Sequence, residues 1–158
     1  MHSFQLWLHV VASAVYLGST AIVIFLVPFI REAAEPEERR RRFARIARAY
    51  NPIAIGSMGV AIMTGAFNLT DYKARLGPRF FAELGGVLGW KLLLVFALVM
   101  VATSLAFGIA HRTVREEEWN EPVDAAALDS RLRRVPGMLW TALAIAGAVF
   151  WLGLAMAH

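Results

Sequence analysis

Residues 6–30 read LWLHVVASAVYLGSTAIVIFLVPFI and contain no aspartate, glutamate, lysine or arginine. A helix needs about 20 largely apolar residues to cross the hydrocarbon core of a bilayer. Three further runs, 51–69, 85–110 and 135–157, carry almost no charge and are of comparable length. No stretch alternates polar and apolar residues as a membrane β-barrel does. The sequence therefore predicts an all-α integral membrane protein, a four-helix antiparallel bundle with up-down-up-down topology.

The chain of 158 residues is 58% hydrophobic, which suits a single membrane domain over residues 1–158. We expect its helices at about 6–30, 51–69, 85–110 and 135–157. No basic residue precedes the first run, which is longer than the apolar core of a signal peptide and is not followed by a small-residue cleavage site. We therefore expect this run to stay in the mature protein.

Arginine is concentrated in two of the regions that join these runs. Residues 31–50 and 111–134 hold 12 of the 14 arginines, whereas the connection between the second and third runs holds Lys73, Arg75 and Arg79 as its only basic residues. Short cytoplasmic loops are enriched in lysine and arginine. We therefore expect loops 31–50 and 111–134 to be cytoplasmic and both termini to be extracytoplasmic, in a multi-pass protein of the inner membrane.

This distribution of charge also bears on partners. Basic residues segregated beside apolar runs favour a lipid bilayer over nucleic acid as the partner, and the tract ERRRRFARIARA (38–49) is suited to contact with anionic head groups. The absence of cysteine excludes disulfides, thiolate metal sites, iron–sulfur ligation and covalent c-type haem attachment. A metal would have to be held by histidine, methionine, carboxylate or backbone groups.

A polar stripe begins with the histidine of the first run. His9, Ser13, Tyr16 and Thr20 are spaced four, three and four residues apart, which places them on one helix face. The second run repeats the spacing with Ser57, Ala61, Thr64 and Asn68. Ionisable residues inside a membrane segment are rare and are functional candidates by default. Small and hydroxyl residues also let helices pack closely, so packing remains the alternative interpretation of these stripes.

The predicted topology brings ligand-type side chains to the outer half of the bundle. Imidazole is the commonest metal ligand, suits copper together with thioether sulfur, and is the usual axial ligand of haem. We therefore predict haem or copper as the cofactor. The predicted cofactor-binding residues are His9, Tyr16, Asn68 and Lys91, and the predicted metal ligands are His9, His158 and Met156. Lys91 would neutralise a carboxylate such as a haem propionate, or would only extend its ammonium group to the head groups.

Four segments carry a family resemblance. HVVASAVYLG (9–18) resembles the first-helix pattern of CopD-type membrane proteins, with Tyr16 where those proteins usually have tryptophan. PIAIGSMGVAIMTG (52–65) is similar to their second-helix segment ending in Thr-Gly, and GWKLLLVFALVMVA (89–102) resembles their third-helix entry, with Lys91 at the matching position. RLRRVPGMLWTALAIAGAVFWLG (131–153) is similar to their fourth helix. The resemblance implies copper uptake or tolerance at the cytoplasmic membrane.

The chain also looks related to the HemJ-type protoporphyrinogen oxidases. These share a first-helix histidine, an early proline in helix 2 (here Pro52) and a third-helix lysine, and the resemblance implies binding of b-type haem. The chain departs from them in having Pro28-Phe29 in place of a Pro-Arg pair, and in lacking a histidine midway along helix 3, at 101–103. These departures bear on the oxidase activity more than on cofactor binding.

Three functions are therefore compatible with the sequence. The leading hypothesis is a CopD-like inner-membrane protein that binds haem b or copper around His9, for copper handling or one-electron redox transfer with a periplasmic electron or copper donor. The second is a HemJ-like haem-binding protoporphyrinogen oxidase. The third is a structural membrane subunit with no cofactor, whose polar stripes serve helix packing or homo-oligomerisation. Whether the protein is an enzyme stays open, and no catalytic residue is assigned.

Overall fold

The protein is helical almost throughout the part of the chain that the computed structural model describes, residues 2–155. The helices are α1 (His2–Arg31), α2 (Pro36–Leu76), α3 (Phe80–Thr103), α4 (His111–Glu118) and α5 (Ala125–Ala155). A 3₁₀ turn at Gly77–Arg79 separates α2 from α3, and a π-helical segment at Ser104–Ala110 joins α3 to α4. Residues 2–155 contain no strand, so the predicted all-α class is confirmed.

Three helical stretches of the described chain are long and apolar enough to cross a membrane. They are Ser3–Arg31, Pro36–Glu118 and Ala125–Gly153. The sequence predicts four separate helices, and the structure differs because the second and third apolar runs belong to one helical stretch, in which only a 3₁₀ turn intervenes. At that turn Gly77 has a φ of 53°, a backbone conformation that side chains disfavour and that ends α2.

The surface of these helices is apolar over most of their length. Phe25, Phe96 and Trp151 are each more than 60% exposed, and they lie on three different helices. Exposed apolar surface of this extent marks an interaction site or a membrane-facing surface rather than a face turned to water. Together with the three apolar stretches, this surface supports a lipid bilayer environment, as the sequence predicts.

The regions expected to be the loops 31–50 and 111–134 are for the most part helical. Helix α2 begins at Pro36, which suits the first turn because its missing N–H has no partner there, and Glu37 and Glu38 complement the helix dipole in the same turn. Glu38 also pairs with Arg42 across one turn at 2.9 Å. These local pairs extend α2 toward its N-terminus, and the helix continues through Pro52 into the apolar run.

The helices pack into two core clusters. Helix α1 packs chiefly against α2 and α3 chiefly against α5, while the π segment and α4 contact α2. The larger cluster consists of Val23, Val27, Ile30, Phe43, Ala47, Leu105, Ile109, Ala110, Leu128, Leu132, Val135 and Leu139. The smaller cluster consists of Tyr16, Ala54, Leu98, Ala142 and Ala146. The N-terminal turns of α1, which carry His9, lie beyond both clusters.

A buried arginine fixes the connection between α4 and α5. Arg40 is only 2% exposed. Its Nη1 donates to the backbone carbonyls of Glu121 at 2.6 Å and Glu116 at 3.2 Å, and its Nη2 donates to the Glu37 carboxylate at 2.8 Å. Arginine with five fixed donors is the side chain suited to such a set of acceptors. The first turns of α2 therefore hold the 119–124 connection in place.

Candidate functional site

His9 joins α1 to α2 through its side chain. The imidazole Nδ1 lies 2.8 Å from the backbone carbonyl oxygen of Ala61 and 3.1 Å from the hydroxyl of Thr64. Thr64 is only 3% exposed and also donates to the Val60 carbonyl at 2.7 Å. Because the Ala61 carbonyl can only accept, Nδ1 must carry the proton that it donates. In a neutral imidazole the lone pair is then on Nε2.

The backbone around the imidazole leaves little space beside the ring. A Cβ atom at Gly65 would lie 3.2 Å from the Cε1 atom of His9, which is tighter than ordinary van der Waals contact. On α1 itself, the Ser13 hydroxyl donates to the His9 carbonyl at 2.8 Å. The Ala61 carbonyl, the Thr64 hydroxyl and the Gly65 backbone of α2 thus all lie against the Nδ1–Cε1 edge of the ring. This arrangement fixes the direction in which Nε2 points.

Lys91 is half-buried on α3 and reaches toward α5. A Cβ atom at Gly153 would lie 3.2 Å from its Nζ, so the ammonium group is against the glycine backbone. Lys91 is also near enough to His9 to interact with it electrostatically. The structure therefore brings the two predicted ionisable site residues to the same end of the protein. No hydrogen bond or ion pair engages the Lys91 ammonium within residues 2–155.

Tyr16 lies deeper in the protein than His9. It is seven residues further along α1, a rise of about 10 Å, and is 4% exposed within the smaller core cluster. Its hydroxyl is buried without a hydrogen-bond partner among the described residues. The Thr20 hydroxyl, one turn further, lies 3.1 Å from the Tyr50 hydroxyl. Tyr16, Thr20 and Tyr50 form a second polar group, which lies at mid-bundle and not at the His9 end.

The remaining predicted site residues are placed less fully. Asn68 follows Thr64 by one turn on α2, and its Oδ1 is buried with no hydrogen-bond partner in the described chain. Met156 and His158, which the sequence suggests as metal ligands, lie outside the described residues. Residues 2–155 contain no group of three histidine, cysteine, aspartate or glutamate side chains that could hold a metal ion.

The side chains around His9 suit the ligation of a haem iron better than the ligation of a copper ion. A haem iron takes a single histidine as its proximal ligand, and metal-bound histidines characteristically donate their other ring N–H to a carbonyl or carboxylate. His9 has this arrangement through Ala61. A copper site combines several imidazole or sulfur ligands, and the described residues contain no group of three histidine, cysteine, aspartate or glutamate side chains around His9. His9 therefore fits haem ligation, with Lys91 as a cation for a carboxylate.

Sequence reasoning did not identify two of the contacts that define this site. The Ala61 carbonyl and Gly65 position the imidazole, yet neither has a side chain that suggests chemistry. The only signal for them is their spacing, since Ala61, Thr64 and Gly65 fall on the face of α2 that repeats the spacing of the α1 stripe. The chain as a whole matches no known protein-family model, no curated protein and no solved structure.

Proposed function

We propose that the protein is a CopD-like integral protein of the cytoplasmic membrane that holds haem b at His9 and serves one-electron transfer or copper handling. The single observation that carries this proposal is the hydrogen bond from His9 Nδ1–H to the Ala61 carbonyl. It fixes the tautomer and ring orientation and leaves the Nε2 lone pair free, as do the carbonyl and carboxylate partners of metal-bound histidines. Copper held at His9 is the alternative cofactor, and it would require further ligands.

Lys91 supports an anionic cofactor in particular. An ammonium group without a partner among the described residues is costly in a membrane segment, where charge is poorly solvated. The carboxylate of a haem propionate would relieve that cost, and copper would not. In this proposal His9 binds the iron, Lys91 pairs with a propionate and Gly65 lets the imidazole approach α2 closely. A haem bound in this way supplies one-electron redox chemistry.

The proposal is tested by absorption spectroscopy and metal analysis of the purified full-length protein. We expect a Soret band that shifts on reduction with dithionite. His9→Gln keeps an N–H that can donate to the Ala61 carbonyl but removes the imidazole, so the Soret band should be lost while helical content stays at the wild-type level. Ser13→Ala is the matched control, because among the described residues that hydroxyl hydrogen-bonds only to the His9 backbone, and its spectrum should equal the wild type.

Other outcomes discriminate among the alternatives. Stoichiometric copper without haem would replace haem by copper in the proposal. Haem together with conversion of protoporphyrinogen to protoporphyrin in the presence of an added electron acceptor would favour the HemJ-like oxidase. A wild-type protein that is folded and carries neither group would refute the cofactor proposal and leave a structural subunit. The contacts of His9 with Ala61 and Thr64 would then be explained by helix packing, because interhelical hydrogen bonds also serve packing.

The proposed arrangement in the membrane has four passes. In it, the 3₁₀ turn at Gly77–Arg79 lies at the membrane surface and reverses the chain between α2 and α3. Two observations support this: α4 packs against α2, and α3 packs chiefly against α5. The arginine-rich ends of α2 and α5 are then cytoplasmic, in accord with the enrichment of basic residues on that side. The His9 end is extracytoplasmic, where a periplasmic electron or copper donor would reach it.

A further inference from the structure

A groove on the surface of the helical bundle lies between the end of α3 and the first half of α5. It has a volume of about 440 Å³ and is lined by Met100, Val101, Ser104, Arg134, Gly137, Met138 and Thr141. The two hydroxyls in this lining are turned back onto their own helices. Ser104 donates to the Met100 carbonyl and Thr141 donates to the Gly137 carbonyl, each at 2.8 Å. The body of the groove therefore presents an apolar surface.

Arg134 gives one end of the groove a charge. It is the last charged residue before the apolar run of α5, so it lies where the polar and apolar parts of that helix meet. Its side chain is exposed. The groove is thus amphipathic along its length, with a guanidinium at one end and methionine, valine and glycine beyond it.

The guanidinium of Arg134 differs from most others nearby in having no acidic partner. Arg39 pairs with Asp129, and Arg131 pairs with Glu116 at 2.7 Å. Within residues 2–155, neither a salt bridge nor a hydrogen bond engages Arg134. An unpaired guanidinium beside an apolar groove is complementary to an anionic group that carries a hydrocarbon chain.

We infer that this groove binds one anionic phospholipid, with its phosphate at Arg134 and an acyl chain along the face formed by Met100, Gly137 and Met138. The charge complementarity selects an anionic lipid over a zwitterionic one, and the apolar length of the groove selects a lipid over a soluble phosphate. The inference requires only that the protein lies in a bilayer. It is independent of any cofactor at His9, because the groove shares no residue with that site.

The test is a titration of the full-length protein in detergent with dioleoylphosphatidylglycerol or dioleoylphosphatidylcholine, with bound lipid counted by native mass spectrometry. Arg134→Gln should weaken binding of the first phosphatidylglycerol about tenfold, the effect of losing one charge-assisted contact. The neighbouring Arg133→Gln is the matched control, since Arg133 is exposed but does not line the groove. At moderate salt the long-range attraction between Arg133 and the lipid phosphate is screened, so Arg133→Gln should weaken binding on the order of twofold or less.

A second variant tests the acyl chain without changing charge. A Cβ atom at Gly137 would meet nothing within 4 Å, so Gly137→Leu can be accommodated by the fold and would fill the groove. We expect it to abolish the first binding step while circular dichroism stays at the wild-type level. Equal affinity for the two lipids, equal effects of the Arg134 and Arg133 variants, or undiminished binding by Gly137→Leu would each overturn the inference.

Discussion

Replacing Arg40 by methionine removes the guanidinium that joins the start of α2 to the 119–124 connection, while an unbranched apolar stem remains. The wild-type group donates to the carbonyls of Glu116 and Glu121 and to the carboxylate of Glu37. The carbonyl of Glu116 also accepts from the amide of Glu121 at 3.0 Å, so it keeps a partner in the variant. The Glu121 carbonyl loses the only donor that the described residues give it.

The expected loss in the free energy of unfolding follows from these contacts. Leaving a shielded carbonyl without its donor costs about 1–3 kcal/mol. The Glu37 side chain is 39% exposed and can be rehydrated, so its ion pair contributes about 0–1 kcal/mol. The buried Nε of Arg40 has no partner among the described residues, and its removal offsets part of the loss. We expect Arg40→Met to lower the free energy of unfolding by about 1–3 kcal/mol.

The assay is thermal unfolding in detergent, followed by far-ultraviolet circular dichroism. For a chain of this length about 2–4 °C corresponds to each kcal/mol, so the midpoint should fall by roughly 2–12 °C. Arg41→Met is the matched control, because that side chain is 57% exposed and only approaches Glu37, at 3.4 Å. Its midpoint should move by less than that of Arg40→Met. Equal midpoints for the two variants would refute the reasoning that burial makes Arg40 different.

Three further predictions concern the site and the topology. Lys91→Met should weaken retention of an anionic cofactor through detergent washing by roughly tenfold to a hundredfold, and Lys91→Arg much less; equal retention by Lys91→Met would leave Lys91 only an anchor. Thr64→Val removes the longer of the two hydrogen bonds of His9 and should lower the free energy of unfolding by about 0.6 kcal/mol. Cofactor content should stay unchanged; loss of the cofactor would show that the hydroxyl orients the imidazole. The chain contains no cysteine, so Lys73→Cys and Ala126→Cys introduce single thiols: an impermeant maleimide applied to intact spheroplasts should label only the first, and the reverse pattern would move the His9 end to the cytoplasm.

The helical character of the chain could be predicted because it depends on composition alone. Runs such as 6–30 and 135–157 are apolar over the length of a membrane span, and they lack the polar–apolar alternation of a closed β-barrel, the other structure that satisfies its backbone in lipid. The association of His9 with Thr64 also follows from the sequence in part, because antiparallel helices place the start of the first run level with the end of the second. The contact between those two side chains agrees with that placement.

Other features could not be predicted because they depend on tertiary contacts. Arg40 stands in the middle of four consecutive arginines, and no local pattern distinguishes it from Arg41, yet one is buried and the other is exposed. The count of separate helices depended on whether the chain at Gly77 forms a loop or a 3₁₀ turn. The direction of Lys91 depended on the absence of a side chain at Gly153, a position more than 60 residues away in sequence.

The π-helical segment has a consequence for the two ends of the helical rod that runs from Phe80 to Glu118. A π turn holds about one residue more than an α turn. The number of residues in the π segment therefore sets the direction in which the side chains of α4 point about the helix axis. Deleting one residue there would rotate the later part of the rod by about 100° about its axis. Thr113, which is fully buried, would leave its interface, and Glu116 would swing away from Arg131. Single-residue length changes in this apolar segment would thus undock α4 while Lys91 stays in its place.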